Sequence, residues 1–184
     1  FTLGENGAED AGIRVIPCSI SSSSSSNDYR PTPLTGDRAQ RLLKKLAGYS
    51  SWYNRYDKID ETGLLSDLEG AGGILSEGDL FQIDDGWQTA VGDRLSVKTD
   101  KFPNGMKYLA DRIHDKGFKA GLWLAPFGAQ FGSALAKQHP EWLYIHGGKP
   151  WECGINWGGF YAIDIDNPQV VSHTEEVFDT VLNK

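Results

Sequence analysis

The chain has 184 residues, 39% of them hydrophobic and 23% charged, the composition of an ordinary soluble globular protein with room for one sizeable core. Its net charge of −7 argues against a nucleic-acid partner, because gripping phosphates takes a basic face. No apolar run is long enough to span a membrane.

The sequence begins at Phe1, its only methionine is Met106, and no basic-then-apolar signal segment opens it. It therefore reads as an internal piece of a longer chain, and no compartment can be read from it. Residues 1–20 contain glycine and then turn apolar, with a strand expected at 13–20, a short all-β or loop remnant ahead of the main domain. Residues 21–27 read SSSSSSN, and polyserine can bury nothing; with Pro31, Pro33 and Gly36 following, 21–36 is expected to be a linker. The main domain is expected over 37–184, opening with a short helix at 38–46.

A strand is predicted at 46–53 (LAGYSSWY). Residues 60–77 carry Leu64, Leu65, Leu68, Ala71, Ile74 and Leu75 at helical spacing, although Gly70, Gly72 and Gly73 weaken that helix. A strand at 79–83 runs into Asp84, Asp85 and Gly86. The helix at 104–116 places Met106, Leu109, Ala110 and Ile113 on one face, with Gly117 where a C-cap glycine belongs. A strand follows at 118–126 (FKAGLWLAP), closed by Pro126, then a short helix at 133–138 and a short strand at 162–165. The last helix, 168–183, turns Val170, Val171, Val177, Phe178 and Val181 inward.

Strand–helix alternation at this spacing implies βαβ units and a parallel sheet, an α/β fold. Polar and aromatic residues gather after the strands: Trp52 and Tyr53, Asp84 to Trp87, and Trp123. In a (β/α)8 TIM barrel that is the end where active sites are built. A doubly wound sheet is the rival, but it usually carries a glycine-rich phosphate loop after its first strand, and GYSSWYN is no such loop. The chain holds about three βα units of the eight, so the expectation is a partial barrel.

The stretch FQIDDGWQ (81–88) holds the leading candidates for chemistry. Neighbouring strand residues point to opposite faces, so Asp84 and Asp85 share a pocket only if the chain turns at Gly86. Adjacent carboxylates are poorly placed to flank a glycosidic bond, since a retaining pair stands about 5–5.5 Å apart across the anomeric carbon. They are better suited to gripping vicinal hydroxyls. Trp87, Trp52 and Trp123 offer flat faces for the C–H side of a sugar ring. An Asp-Asp-Gly at a strand end also reads as a plain turn, and that alternative stays open on chemistry alone.

Other candidates read as structural. The DIDN stretch (Asp164, Asp166, Asn167) lacks the ligands of a calcium loop and is expected to end a strand and cap a helix. His114, His139, His146 and His173 are scattered and fit no nucleophile motif. Cys18 and Cys153 read as free thiols, with one long-range disulfide as the alternative. Asp111, Arg112, Asp115 and Lys116 read as a solvated helix face.

Taken together, FQIDDGWQ, VGD, KFPNGMKYLADRIHDKGFKAGLWLAPF, HPEWL and NWGGFYAIDIDNP resemble the α-galactosidases (melibiases) of glycoside hydrolase family 36, and SSWYNRYDKIDE fits that family's first barrel strand. The resemblance covers about residues 48–184; residues 1–20 would end the β-sandwich that precedes the barrel. It implies a retaining exo-hydrolase of terminal α-galactosides such as melibiose and raffinose, needing no cofactor and no metal, with homo-oligomeric assembly of the parent left open. It implies that Asp84 and Asp85 bind galactose hydroxyls and that Trp52, Tyr53 and Trp123 line the sugar pocket, with Asn156 and Trp157 of GINWGG as further contacts. It places the nucleophile in a Lys-x-Asp motif on the fourth strand and the acid/base Asp further on, both expected beyond Lys184. The KID at 58–60 lies in the first βα segment and does not match. Arg94 stands where the family commonly has Trp, and is expected to shape the rim or a subunit contact. The alternatives are a galactosyl transferase of the raffinose- or stachyose-synthase type, an α-N-acetylgalactosaminidase, or a non-catalytic galactose-binding fragment. A chain of this extent, with an open parallel edge at its third strand, is expected to aggregate or to be marginally stable alone.

Overall fold

The computed structural model describes residues 47–183. The expected strand at 13–20, the linker at 21–36, the helix at 38–46 and Cys18 lie outside the described residues. Three parallel strands, β1 (Gly48–Ser50), β2 (Leu80–Ile83) and β3 (Lys119–Leu122), pair in the order β1-β2-β3. Gly48 faces Leu80, Ser50 faces Gln82, and Ile83 faces Leu122. Only β2 is paired on both sides, and it alone alternates fully buried residues, Phe81 and Ile83, along its length.

The first strand is shorter than predicted. The chain turns at Ser51 into a one-turn helix, α1 (Trp52–Arg55), so Trp52 and Tyr53 sit on a helix and not on a strand. The next helix, α2 (Glu61–Ala71), starts where the Asp60 carboxylate accepts from Gly63 N at 2.7 Å. It stops six residues before the predicted end at 77: Gly70, Gly72 and Gly73 cluster there, and glycine is the poorest helix former after proline. The third helix, α3 (Gly105–Asp115), ends in a Schellman motif. Gly117 takes a φ of +83°, its N–H bonds to His114 O at 2.8 Å, and Phe118 N reaches Ile113 O at 3.2 Å. Leu64, Leu68 and Ala71 of α2 and Leu109 and Ile113 of α3 close over the sheet against Ile59, Phe81, Ile83, Trp87, Phe102 and Phe118.

After β3 the chain departs from simple alternation. The strand predicted to 126 ends at Leu122: Trp123 N still donates to Ile83 O at 2.8 Å, and the pairing with β2 stops there. A separate excursion follows: β4 (Gly128–Gln130), a short helix α4 (Ala134–Gln138), a hairpin of β5 (Ile145–His146) and β6 (Lys149–Pro150), and β7 (Phe160–Ala162). The strand expected at 162–165 is thus β7, two residues earlier and antiparallel to β4, not a member of the parallel sheet. Its core is small: Ala129, Leu135, Trp142, Leu143, Ile163 and Val170. The last helix, α5 (Pro168–Asn183), is capped as expected, with Asn167 Oδ1 accepting from Gln169 N at 2.9 Å and Pro168 at its first position. It buries Val170 and Val177, whereas Val171 and Phe178 are exposed, so its apolar stripe is narrower than the sequence suggests.

Arg94 is not on a rim. It is 3% exposed, donates to Thr174 Oγ1 at 2.6 Å and to the Pro126 carbonyl, and leaves its Nε without a partner. Burial pulls its pKa below the ordinary value. The side chain ties the segment after β2 to the end of the β3 segment and to α5, an internal strap.

Candidate functional site

The C-terminal ends of β1, β2 and β3 converge on a cavity of about 870 Å³ lined by Ser50, Trp52, Tyr53, Gln82, Asp84, Asp85, Trp123, Asn156 and Trp157, with Tyr56, Asp57 and Lys58 at one side. The seven residues that the family resemblance implicated all line it, whereas Trp87 does not. Asp84 and Asp85 are 9% and 8% exposed and form its floor. Tyr53, at 88% exposed, stands at the mouth.

The floor is built by the sheet. Asp84 N donates to Ser51 Oγ at 2.8 Å, which continues the β1–β2 pairing one step past the strand ends. Asp84 Oδ2 accepts from Gln82 Nε2 at 2.7 Å and Ser50 Oγ at 3.2 Å, and its Oδ1 accepts from Asp85 N at 2.9 Å. Asp85 Oδ1 accepts from Gly86 N at 2.7 Å, and its Oδ2 accepts from the Trp157 indole at 2.6 Å. The turn that brings both carboxyls into one pocket needs Gly86: its φ is +113°, and a Cβ there would stand 2.5 Å from the Asp57 carbonyl oxygen.

A carboxylate offers about four acceptor sites. Asp84 fills three and Asp85 two from within the chain, so both keep acceptor capacity facing the cavity. Such a floor takes ligands that present hydrogen-bond donors, and vicinal hydroxyl groups are one neutral arrangement that does so in pairs. The walls are aromatic. Trp123 and Trp157 lie tilted with ring centroids 5.9 Å apart, and Trp52 meets Tyr56 edge-on at 5.4 Å. Trp87, expected as a further platform, is 2% exposed and sits in the core, where its indole donates to Trp123 O at 3.0 Å. It holds the strand end that carries Trp123.

Helix α1 is fixed to the body by one charged cluster. Arg55 grips Asp67 in a bidentate pair, Nε to Oδ2 at 2.5 Å and Nη2 to Oδ1 at 2.7 Å, and the Tyr49 hydroxyl donates to the same carboxylate at 2.6 Å. The Arg55 hydrogen bond holds Asp67 below the usual carboxylate range, and Asp67 in turn raises Arg55. Burial, reinforced by the Asp67 hydrogen bond, pushes Tyr49 up to about 12.

Ser50, Gln82, Tyr56, Asp57 and Lys58 line the cavity and were not singled out from the sequence. Gln82 left a signal: it is the polar residue in LFQI, two positions before Asp84 and so on the same face. Ser50 left none, because its place beside Gln82 depends on register between distant strands. Asp60 of the KID stretch is spent as the α2 cap. Among the described residues no group of three His, Cys, Asp or Glu side chains is placed to hold a metal, and no helix is long and apolar enough to cross a membrane. The histidines lie away from the pocket lining; His139 stacks on Trp142 at 4.0 Å and meets Glu141 at 3.0 Å.

Comparison with known proteins places the chain in a family. A family model described as melibiase matches residues 50–184. Alpha-galactosidase Mel36A of Lactobacillus acidophilus is 34% identical over 109 residues, covering 55% of this chain and 14% of the relative. A galactosaminidase of Flavonifractor plautii, described as acting on A type blood alpha-D-galactosamine, is 36% identical over 101 residues, covering 53% of this chain and 9% of its own. Among solved structures, the alpha-galactosidase TtGalA from Thermus thermophilus, in complex with stachyose, superposes with a TM-score of 0.68 at 39% identity, over 79% of this chain and 33% of that one. The chain thus spans a third or less of these relatives. On the match across residues 50–184 and the structural neighbours that share it, the chain belongs to the melibiase family, glycoside hydrolase family 36.

Proposed function

We propose that this chain is the galactose-gripping part of a retaining α-galactosidase, and that β1, β2 and β3 with their helices are the first three units of its (β/α)8 barrel. The observation that carries this is the pair Asp84 and Asp85, both buried, both short of donors, at the bottom of a cavity walled by Trp52, Trp123 and Trp157. The carboxylates take galactose hydroxyls at the C4/C6 side, and Trp52, Tyr53 and Trp123 enclose the ring. Asn156 and Trp157 close the far side.

The grip is not the chemistry. Double displacement uses a nucleophilic carboxylate and an acid/base carboxyl on opposite sides of the anomeric carbon, about 5–5.5 Å apart. Asp84 and Asp85 are adjacent, tied to the same strand end, and committed to backbone and side-chain donors. Asp57 lines the cavity but lies in no motif that matches the family's nucleophile. The catalytic pair is supplied by residues other than these 184.

Calorimetry with galactose and glucose tests the grip, and a chromogenic α-galactoside tests the division of labour. The expected result is galactose binding that glucose does not match, with no turnover. Equal binding of both sugars, or none, overturns the grip; clear turnover means the nucleophile lies within the chain. A second reading, an α-galactosaminidase, draws on the similarity to the Flavonifractor enzyme, which is described as acting on galactosamine. It predicts tighter binding of galactosamine than of galactose in the same titration.

A further inference from the structure

Trp157 reaches the floor from an unfavourable backbone. Its φ of 56° and ψ of 22° are left-handed, and no glycine's freedom excuses them. Its loop runs through Gly154, Gly158 and Gly159, all at positive φ. A non-glycine residue persists in that region only where its surroundings over-determine it. Two contacts meet that need. The indole N–H ends on Asp85 Oδ2 at 2.6 Å, and the Trp157 carbonyl accepts from Gln130 Nε2 at 2.8 Å.

Gln130 lies outside the cavity lining, at the end of β4. Its amide orientation is fixed by its partners. Oε1 must face the Val91 N–H, 3.1 Å away, so Nε2 must face the Trp157 carbonyl. Its own backbone N–H donates to Val91 O at 2.7 Å. The residue therefore closes a two-way pair with Val91, using side chain in one direction and main chain in the other, and spends one of its two amide N–H donors on Trp157. Val91 follows Trp87 on the segment that leaves β2, so this one side chain links the segment after the floor to the loop that closes the far wall.

We infer that Gln130 is a positioning residue for the sugar site: it holds Trp157 in its left-handed conformation, and through the indole N–H it sets which lone pairs of Asp85 face the ligand. This rests on the reading of Asp84 and Asp85 as a galactose grip. Without the indole, Asp85 Oδ2 is free to turn away from the cavity, and a ligand hydroxyl must first recruit it.

The test uses the 184-residue chain with Gln130→Glu, Trp157→Phe and the double variant. Gln130→Glu keeps the acceptor for Val91 N–H and loses the donor to Trp157; Trp157→Phe keeps the ring and loses the indole N–H. Each single change is expected to weaken galactose binding about fivefold, the usual worth of one hydrogen bond, and the double change no more than the weaker-binding single one. If the two losses multiply, or if Gln130→Glu lowers the melting temperature and leaves affinity unchanged, Gln130 is structural only and the inference fails. A chain that binds no galactose overturns the grip instead. The positioning chain is then read from the Trp157 indole 15N–1H signal, which Gln130→Glu and Asp85→Asn should both displace. An indole signal unmoved by Gln130→Glu overturns it.

Discussion

Asp84 and Asp85 reach the pocket from a strand paired on both sides, while Asn156 and Trp157 reach it from a glycine-rich loop that belongs to no sheet. The floor inherits its geometry from the ladder: Ser51, Gln82 and Ser50 are placed by β1–β2 register, and they in turn place Asp84. The far wall is held by a few separate contacts, Gln130 to the Trp157 carbonyl, Asp85 to its indole, and the Trp157 ring against Trp123 and Phe160. A site built this way divides its vulnerabilities. Changes at the supports of the floor should be felt as lost stability, and changes in the wall as lost affinity with stability kept.

The largest effect is expected at the hinge of the floor. Gly86→Ala puts a methyl group where a Cβ stands 2.5 Å from Asp57 O, in a backbone conformation that L side chains rarely adopt. It should cost about 3 kcal/mol or more in denaturant unfolding. A loss under about 1 kcal/mol would mean that the turn relaxes freely and that the floor is not rigid.

How legible these two regions were follows from the same difference. Residues of β2 and α3 announced themselves: LFQI followed by Asp-Asp-Gly, and Met106, Leu109 and Ile113 at helical spacing before Gly117, are local patterns with local causes. The boundaries of β1 and β3 are not legible because apolar residues continue past the pairing: Trp52 in WYNR serves a helix, and Leu124 packs on the core without a strand partner. The excursion was harder still. Its strands are two or three residues long, too short for period-2 alternation to show, and β4 finds its partner β7 thirty residues later. Arg94 shows the same limit. A cation in VGDR reads as surface, and only the fold reveals the Thr174 hydroxyl and Pro126 carbonyl that take it inside.

The second effect concerns the support of α1. Asp67→Ala removes the carboxylate that both Arg55 and Tyr49 use, and should cost about 2 kcal/mol, between the worth of an exposed and a buried pair. The pH dependence follows from sign. The folded value of Asp67 lies below its unfolded value, so its contribution is whole above about pH 4 and is lost as pH falls through the folded value. Tyr49 is shifted the other way, so its contribution is whole below its ordinary pKa and is lost as pH rises toward about 12. Melting temperatures of wild type and Asp67→Ala should run parallel near neutrality and converge below about pH 4. A constant gap down to strong acid would remove Asp67 as its source.

On the wall side, Trp52→Ala is expected to lower galactoside affinity about tenfold, since a stacked ring face and its burial are both lost. Stability should fall by under about 1 kcal/mol, because the side chain is 38% exposed and packs chiefly on Tyr56. A large loss of stability would assign Trp52 to the core instead.

The smallest change separates floor from wall most cleanly. Asn156 lines the cavity, is exposed, and follows Ile155, which is 91% exposed, so little of the fold depends on it. Asn156→Ala should leave unfolding within about 0.5 kcal/mol of wild type. If its amide meets a sugar hydroxyl, galactose affinity should nonetheless fall about three- to tenfold, the worth of one hydrogen bond formed on binding. Calorimetry and denaturant unfolding on one preparation read both quantities. Affinity lost with stability intact is what a wall of a few separate contacts predicts, because such a residue touches the ligand and almost nothing else. Stability lost in step with affinity would mean that the loop folds cooperatively with the sheet, and the distinction between floor and wall would disappear.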